Sequence, residues 1–213
     1  WLADRYRPCA KRIQVVPNMI ELASWPRADR LRRDGIFKIL WAGSPSHAGD
    51  LEIVIPVMEK FLKTHADAHL VLFGQEIKDA RLPEAQVEHI PWCELEEYPF
   101  KLAEIDADVA IAPLADVPFN HGKSNLRILQ YWATGYPVIA SNVGPYKTAC
   151  AAPPEGKDGG VLCDTREEWL ASLETFYNML DFRKTAIDVG FEAVKAYDVL
   201  PHAKEIEAFY SSL

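Results

Sequence analysis

Apolar residues along this chain fall into short unbroken runs separated by stretches with helical spacing. FKILWAG (Phe37–Gly43) and AHLVLFG (Ala68–Gly74) each end in glycine, and QVEHI (86–90) is a weaker run of the same kind. ADVAIAPL (107–114), YPVIAS (136–141) and GGVLC (159–163) complete the set. Between the first two runs, Leu51, Val54, Ile55, Met58, Phe61 and Leu62 recur at three- and four-residue intervals, which predicts a helix over 50–65 with Asp50 as its N-cap and a bend at Pro56. Further helices are expected over 94–105, 123–134, 165–180, 182–196 and 201–213; Thr165 and Glu168 have the spacing of a capping box.

Strands that read as continuous apolar runs are buried on both faces, and strands alternating with helices join in parallel. The expected fold class is therefore α/β: a doubly wound parallel sheet, Rossmann-like, spanning residues 35–213. Residues 1–34 read as a connector and the tail of another domain. In such a sheet the ligand lies beyond the carboxyl ends of the strands. Here those ends are Gly43-Ser44, Gly74-Gln75, the 113–122 loop and Ser141-Asn142.

Charge changes the picture in one respect. The 213 residues carry a net −8, which speaks against nucleic acid as a partner. Residues 1–33, however, hold eight Lys/Arg against three Asp/Glu, leaving −13 for the rest. A basic segment beside an acidic body suits contact with an anionic membrane or a partner domain, or is a solvated linker. Four widely spaced cysteines (Cys9, Cys93, Cys150, Cys163) form neither a disulfide framework nor a zinc pattern, so a reducing cytoplasm is the expected location, with the inner face of the membrane as a variant of it. No metal is expected.

The chemistry concentrates in HGKSNLRILQYWATGYPVIAS (121–141). Gly122-Lys123-Ser124 has the ending of a phosphate-binding P-loop, but the first glycine of that motif is replaced by Val117, and Pro118 follows it with no amide to donate. The general physics survives. Lys123 and Ser124, expected to open the 123–134 helix, combine free backbone N–H groups, the helix dipole and an ammonium into an anion site. His47, in GSPSHAGD after the first strand, either hydrogen-bonds a sugar or phosphate or caps its loop. His121 reads as a loop residue, and Asp106 and Asp108 as turn and edge residues.

In order and spacing, FKILWAGSPSHAGDL, HLVLFG and DADVAIAPLADVPFNHGKSNLRILQYWATGYPVIASNVGPY resemble the C-terminal half of GT-B glycosyltransferases, nearest to the retaining, nucleotide-sugar-dependent group that builds bacterial surface polysaccharides. RIQVVPNMIELASW resembles that family's crossing between domains. The resemblance implies a donor-binding domain whose diphosphate and sugar lie against Gly43, Ser44, His47, Gly122, Lys123 and Ser124. It places the ribose at Gln130 and the nucleobase near Ile90 and Trp92, with Trp92 either stacking on the base or belonging to the core. It implies a nucleotide sugar as co-substrate with no separate cofactor, an acceptor held by an N-terminal domain, and no transferase activity from this chain alone. Where the family carries two glutamates eight positions apart, this sequence has Gly122 and Gln130. Gln130 still accepts a hydrogen bond but brings no charge. The alternatives are a non-catalytic nucleotide- or glycan-binding module whose glutamates have been lost, and a GT-B-type nucleotide-sugar epimerase, which needs acid and base residues not visible in the sequence.

Overall fold

The computed structural model describes residues 1–31, 35–44, 48–74, 76–77, 79–150 and 159–212. Six strands, β1 (Phe37–Gly43), β2 (Ala68–Gly74), β3 (Val87–Pro91), β4 (Val109–Ala112), β5 (Val138–Ser141) and β6 (Val161–Cys163), form one sheet in the order β3-β2-β1-β4-β5-β6. Every neighbouring pair is parallel. This is the doubly wound order expected of a Rossmann-like sheet. Its register pairs Gly43 with Gly74 and Gly74 with Pro91, so β1, β2 and β3 end level with one another.

Ten α-helices accompany the sheet among the described residues: α1 (Leu2–Tyr6), α2 (Ala48–Leu51), α3 (Ile55–Thr64), α4 (Tyr98–Glu104), α5 (Pro118–His121), α6 (Leu126–Ala133), α7 (Gly144–Cys150), α8 (Arg166–Asn178), α9 (Leu180–Val194) and α10 (Val199–Ser211). The two-residue period of β1 divides its side chains between two cores. Leu40 and Ala42 join Leu102 of α4, Ile128, Leu129 and Trp132 of α6 and Val194 of α9. Ile39 and Trp41 join Met58 and Phe61 of α3 and Trp169, Leu173 and Phe176 of α8. The sheet is thus covered on both faces, as its unbroken apolar strands require. Thr165 and Glu168 form the expected capping box at the start of α8.

Five expectations about local structure change. The helix over 50–65 is two helices, α2 and α3, separated by a turn. Pro56 stands in the first turn of α3, where its missing N–H costs nothing, so it opens a helix instead of bending one. Asp50 lies inside α2, and its carboxylate turns to the β4–α6 connection, so it is not the N-cap. The helix over 123–134 begins only at Leu126, because the single turn α5 closes at Gly122 and consumes the Lys123 N–H in a bond to Asn120 O (3.2 Å). Asp108 is not an edge residue but a buried one, paired with Arg183 and accepting from the Lys38 N–H at 2.8 Å.

The connector is fastened to the sheet domain through a buried cation. The Arg30 guanidinium donates to the carbonyls of Ala103 (2.8 Å), Ile105 and Thr134 (3.1 Å), the closing residues of α4 and α6, and stacks 3.8 Å from the Tyr136 ring centroid. Two helix C-termini supply partial negative charge where the burial of a guanidinium needs it. Helix α10 buries no residue among those described.

Candidate functional site

Strand order turns about β1 and β4: from β1 the chain adds strands outward on one side, and from β4 on the other. The crevice at that turning point lies beyond Gly43 and Ala112. A cleft of about 330 Å³ occupies it.

Its β1–β3 wall is built by glycine. Gly74 has φ +102°, and a side chain there would bring a Cβ to 2.7 Å from Gly43 O and 2.8 Å from the Trp92 ring. Only glycine accommodates both the backbone angle and the contact. The indole of Trp92 can therefore lie across the strand ends, stacked on Phe73 (centroids 6.0 Å, 25°) and 5.3 Å from Tyr98. It stays 49% exposed, leaving a flat aromatic surface on the cleft beside Gly43 and Ser44.

The opposite wall is held by a buried carboxylate. Asp50 Oδ1 accepts from the Ala115 N–H and from Asn120 Nδ2, both at 3.0 Å, and Oδ2 accepts from Lys123 Nζ at 3.2 Å. The Asp50 side chain is 6% exposed and that of Lys123 19%. Asn120 also donates to Ala115 O (2.8 Å), closing the 115–120 loop on itself. Ser141 Oγ accepts the Leu114 N–H at 2.8 Å. Loops from sequence-distant strands are in this way tied to one another around the Lys123 ammonium.

Helix α6 forms the floor. Arg127 and Gln130, three residues apart and hence on one helix face, both line the cleft together with Lys123 and Ser124. The Arg127 guanidinium lies 5.8 Å from the centroid of Trp41, and its charge opposes the burial that raises the Tyr98, Tyr131 and Tyr146 hydroxyls above the ordinary tyrosine range. Burial pushes Tyr131 up to about 12. Its hydroxyl accepts the Ala42 N–H at 2.8 Å, anchoring α6 under the end of β1.

Six residues expected at the site from sequence line one cleft: Gly43, Ser44, Trp92, Lys123, Ser124 and Gln130. Gly122 stands apart, beneath Trp1 and Leu2 of the N-terminal segment. Ile90 packs against the core from β3 and lines a separate groove with Lys38 and Glu88. His47 lies outside the described residues. His121 pairs with Asp116 (Nε2 to Oδ1, 2.6 Å) under the Trp1 ring. Sequence reasoning missed Asp50 as the partner of Lys123, and it missed Arg127, Tyr98 and Tyr146 as lining. Only Arg127 carried a signal: it lies three residues before Gln130 on a predicted helix.

No family model and no curated protein sequence matches the chain. Solved structures do. Sucrose-phosphate synthase from Thermosynechococcus elongatus is 15% identical, with TM-score 0.73 over 100% of this chain and 57% of its own. HepE from Anabaena, solved in complex with UDP and glucose, is 16% identical, with TM-score 0.73 over 94% of this chain and 57% of its own. The C-terminal domain of a glycosyl transferase group 1 family protein, LpcC from Francisella tularensis, is 15% identical, with TM-score 0.60 over 83% of this chain and 97% of that domain. The chain thus spans 57% of the length of the first two, and its fold is that of the C-terminal domain of GT-B glycosyltransferases.

Proposed function

We propose that this GT-B C-terminal domain binds the nucleotide-sugar donor of a glycosyltransferase. The observation that carries the reading is the cleft at the turning point of the sheet. It combines an exposed aromatic ring, the start of a helix and two cations within about 330 Å³. A nucleoside diphosphate sugar requires those three things: a surface for the base, and positive charge and donors for two phosphates. Trp92 takes the base by stacking, Gln130 accepts from a ribose hydroxyl, and Lys123, Ser124 and Arg127 face the diphosphate beside Gly43 and Ser44.

In the reaction, the acceptor hydroxyl oxygen bonds to the anomeric carbon as the bond from that carbon to the diphosphate breaks; negative charge builds on the departing phosphate, which takes up the hydroxyl proton. Cations already fixed in a low-dielectric cleft stabilise that charge without reorganising. The acceptor belongs to another part of the protein, joined through residues 1–34, so this domain alone turns over no sugar. Closure of the two halves excludes water from the cleft. A glycan or lipid-linked acceptor, and work at the cytoplasmic face of a membrane on surface polysaccharide, fit the basic balance of residues 1–33.

A non-catalytic binding module is the second reading, favoured by Gly122 lying beneath Trp1 and Leu2, outside the cleft. Calorimetric titration with UDP, GDP, ADP and CMP tests the donor site itself. One nucleotide binding in a 1:1 ratio supports it and names the base; binding of none removes it. Assay of the longer protein with the sugar of that nucleotide then separates enzyme from module.

A further inference from the structure

The two cations of the cleft have opposite surroundings. Lys123 already has a counter-ion, since the enclosed Asp50 carboxylate accepts from its ammonium at 3.2 Å and also holds the Ala115 N–H and the Asn120 amide. Arg127 pairs with no carboxylate among the described residues. Its Nη1 is sealed from solvent and meets no hydrogen-bond acceptor there; the Trp41 ring centroid lies 5.8 Å from the guanidinium, Tyr98 and Tyr146 line the same cleft, and the Tyr98, Tyr131 and Tyr146 hydroxyls feel its charge. Trp41 Nε1, at the same end of β1, is a second enclosed donor without an acceptor.

Enclosing an N–H of a charged group without an acceptor is costlier than enclosing a neutral one, and folded proteins rarely leave such a donor unanswered. Here the guanidinium borders an open cleft, where a ligand can bring the missing acceptor. Its planar fork matches two oxygens of one phosphate, which a lysine ammonium cannot do.

We propose that Arg127 is the principal ligand of the diphosphate, and that Lys123, held by Asp50, is a positioning residue that fixes the 115–124 connection. The inference rests on the donor-binding reading and assigns its parts. It reverses the expectation from sequence, in which Lys123 stands as the phosphate group's cation.

The test compares Arg127→Gln, Arg127→Lys and Lys123→Met with wild type by calorimetry, using the nucleoside diphosphate that binds and its phosphate-free nucleoside. Arg127→Gln is expected to weaken the diphosphate about 10-fold or more, the range for a hydrogen bond to a charged group, while the nucleoside stays within about twofold. Arg127→Lys keeps the charge, loses the fork and falls between. Lys123→Met costs less than Arg127→Gln, and its loss is shared by the nucleoside, because it acts through the loop. Diphosphate affinity unchanged in Arg127→Gln, or a larger and phosphate-specific loss in Lys123→Met, overturns the assignment while leaving the donor site standing. A wild-type chain that binds no diphosphate overturns both. Should Arg127→Gln lose its cooperative melt, Arg127→Lys decides: an affinity equal to wild type counts against the proposal.

Discussion

Replacing Asp50 separates two kinds of loss at one position. The carboxylate accepts three hydrogen bonds, from the Ala115 N–H, Asn120 Nδ2 and Lys123 Nζ, and Asn120 is only 3% exposed. In Asp50→Ala, a part-buried donor (the Ala115 N–H) and a buried one (an Asn120 Nδ2 hydrogen) lose their acceptor, and a partly buried ammonium loses its counter-ion. Each orphaned donor costs about 1–3 kcal/mol, but they belong to one network and do not add, so the whole is about 3–5 kcal/mol. Asp50→Asn keeps an oxygen for Ala115 and Asn120 but removes the charge and turns an NH2 towards Lys123 Nζ, which then takes its acceptor from water; the cost falls to about 1–2 kcal/mol. At about 2–4 °C per kcal/mol for a chain of this size, scanning calorimetry should show Tm falling by about 6–20 °C for the alanine variant and about 2–8 °C for the asparagine variant. Urea melts should move in midpoint with little change in slope, because the surface exposed on unfolding is the same. If the two variants lie within about 0.5 kcal/mol of each other, or alanine costs less than about 1 kcal/mol, the carboxylate does not hold this wall and the reasoning fails.

Two further outcomes follow from single features. Gly74→Ala places a side chain at φ +102° against Gly43 O and the Trp92 ring; it should destabilise by about 1–3 kcal/mol and displace the indole, read as a change in near-ultraviolet circular dichroism and tryptophan emission. Tyr131, whose folded-state value of about 12 lies above the ordinary value of 10, contributes stability below pH 10 that is lost as pH rises from 10 to 12, since the unfolded chain gives up the proton first. Tyr131→Phe should flatten that limb of the stability–pH curve; an unchanged limb contradicts the burial argument.

The central strands were legible because strands buried on both faces need unbroken apolar runs; β3, at the sheet edge with no buried residue, showed only the weaker run QVEHI, and all six runs became strands. Helix starts were less so. A three- to four-residue apolar spacing runs straight through the turn between α2 and α3, and nothing in that spacing reports that Pro56 begins a helix. Similarly, α5 closes at Gly122 and pushes the start of α6 to Leu126, so Lys123 sits in the preceding loop with its N–H already used. Gly43, Ser44, Lys123 and Ser124 could be named because they fall at a strand end or within one contiguous motif, and Trp92 and Gln130 through the family resemblance. The partner of Lys123 could not: Asp50 stands 73 residues away, and an aspartate beside a predicted helix looks like a cap. Arg127 resembles any charged residue on a solvated helix face until its Nη1 is seen enclosed without an acceptor at the cleft, beside the Trp41 ring.

The central claim is that the ligand sits at the turning point of the sheet. Its most direct test is amide chemical-shift mapping of the ¹⁵N-labelled chain during titration with the nucleoside diphosphate that binds. Shifts concentrated at Gly43, Ser44, Trp92, Ser124, Arg127 and Gln130, with the Trp92 and Trp41 indole N–H signals moving together with them, are what the cleft predicts. Saturable shifts confined to the groove of Lys38, Glu88 and Ile90, with the strand-end residues unmoved, would place the ligand elsewhere and contradict it.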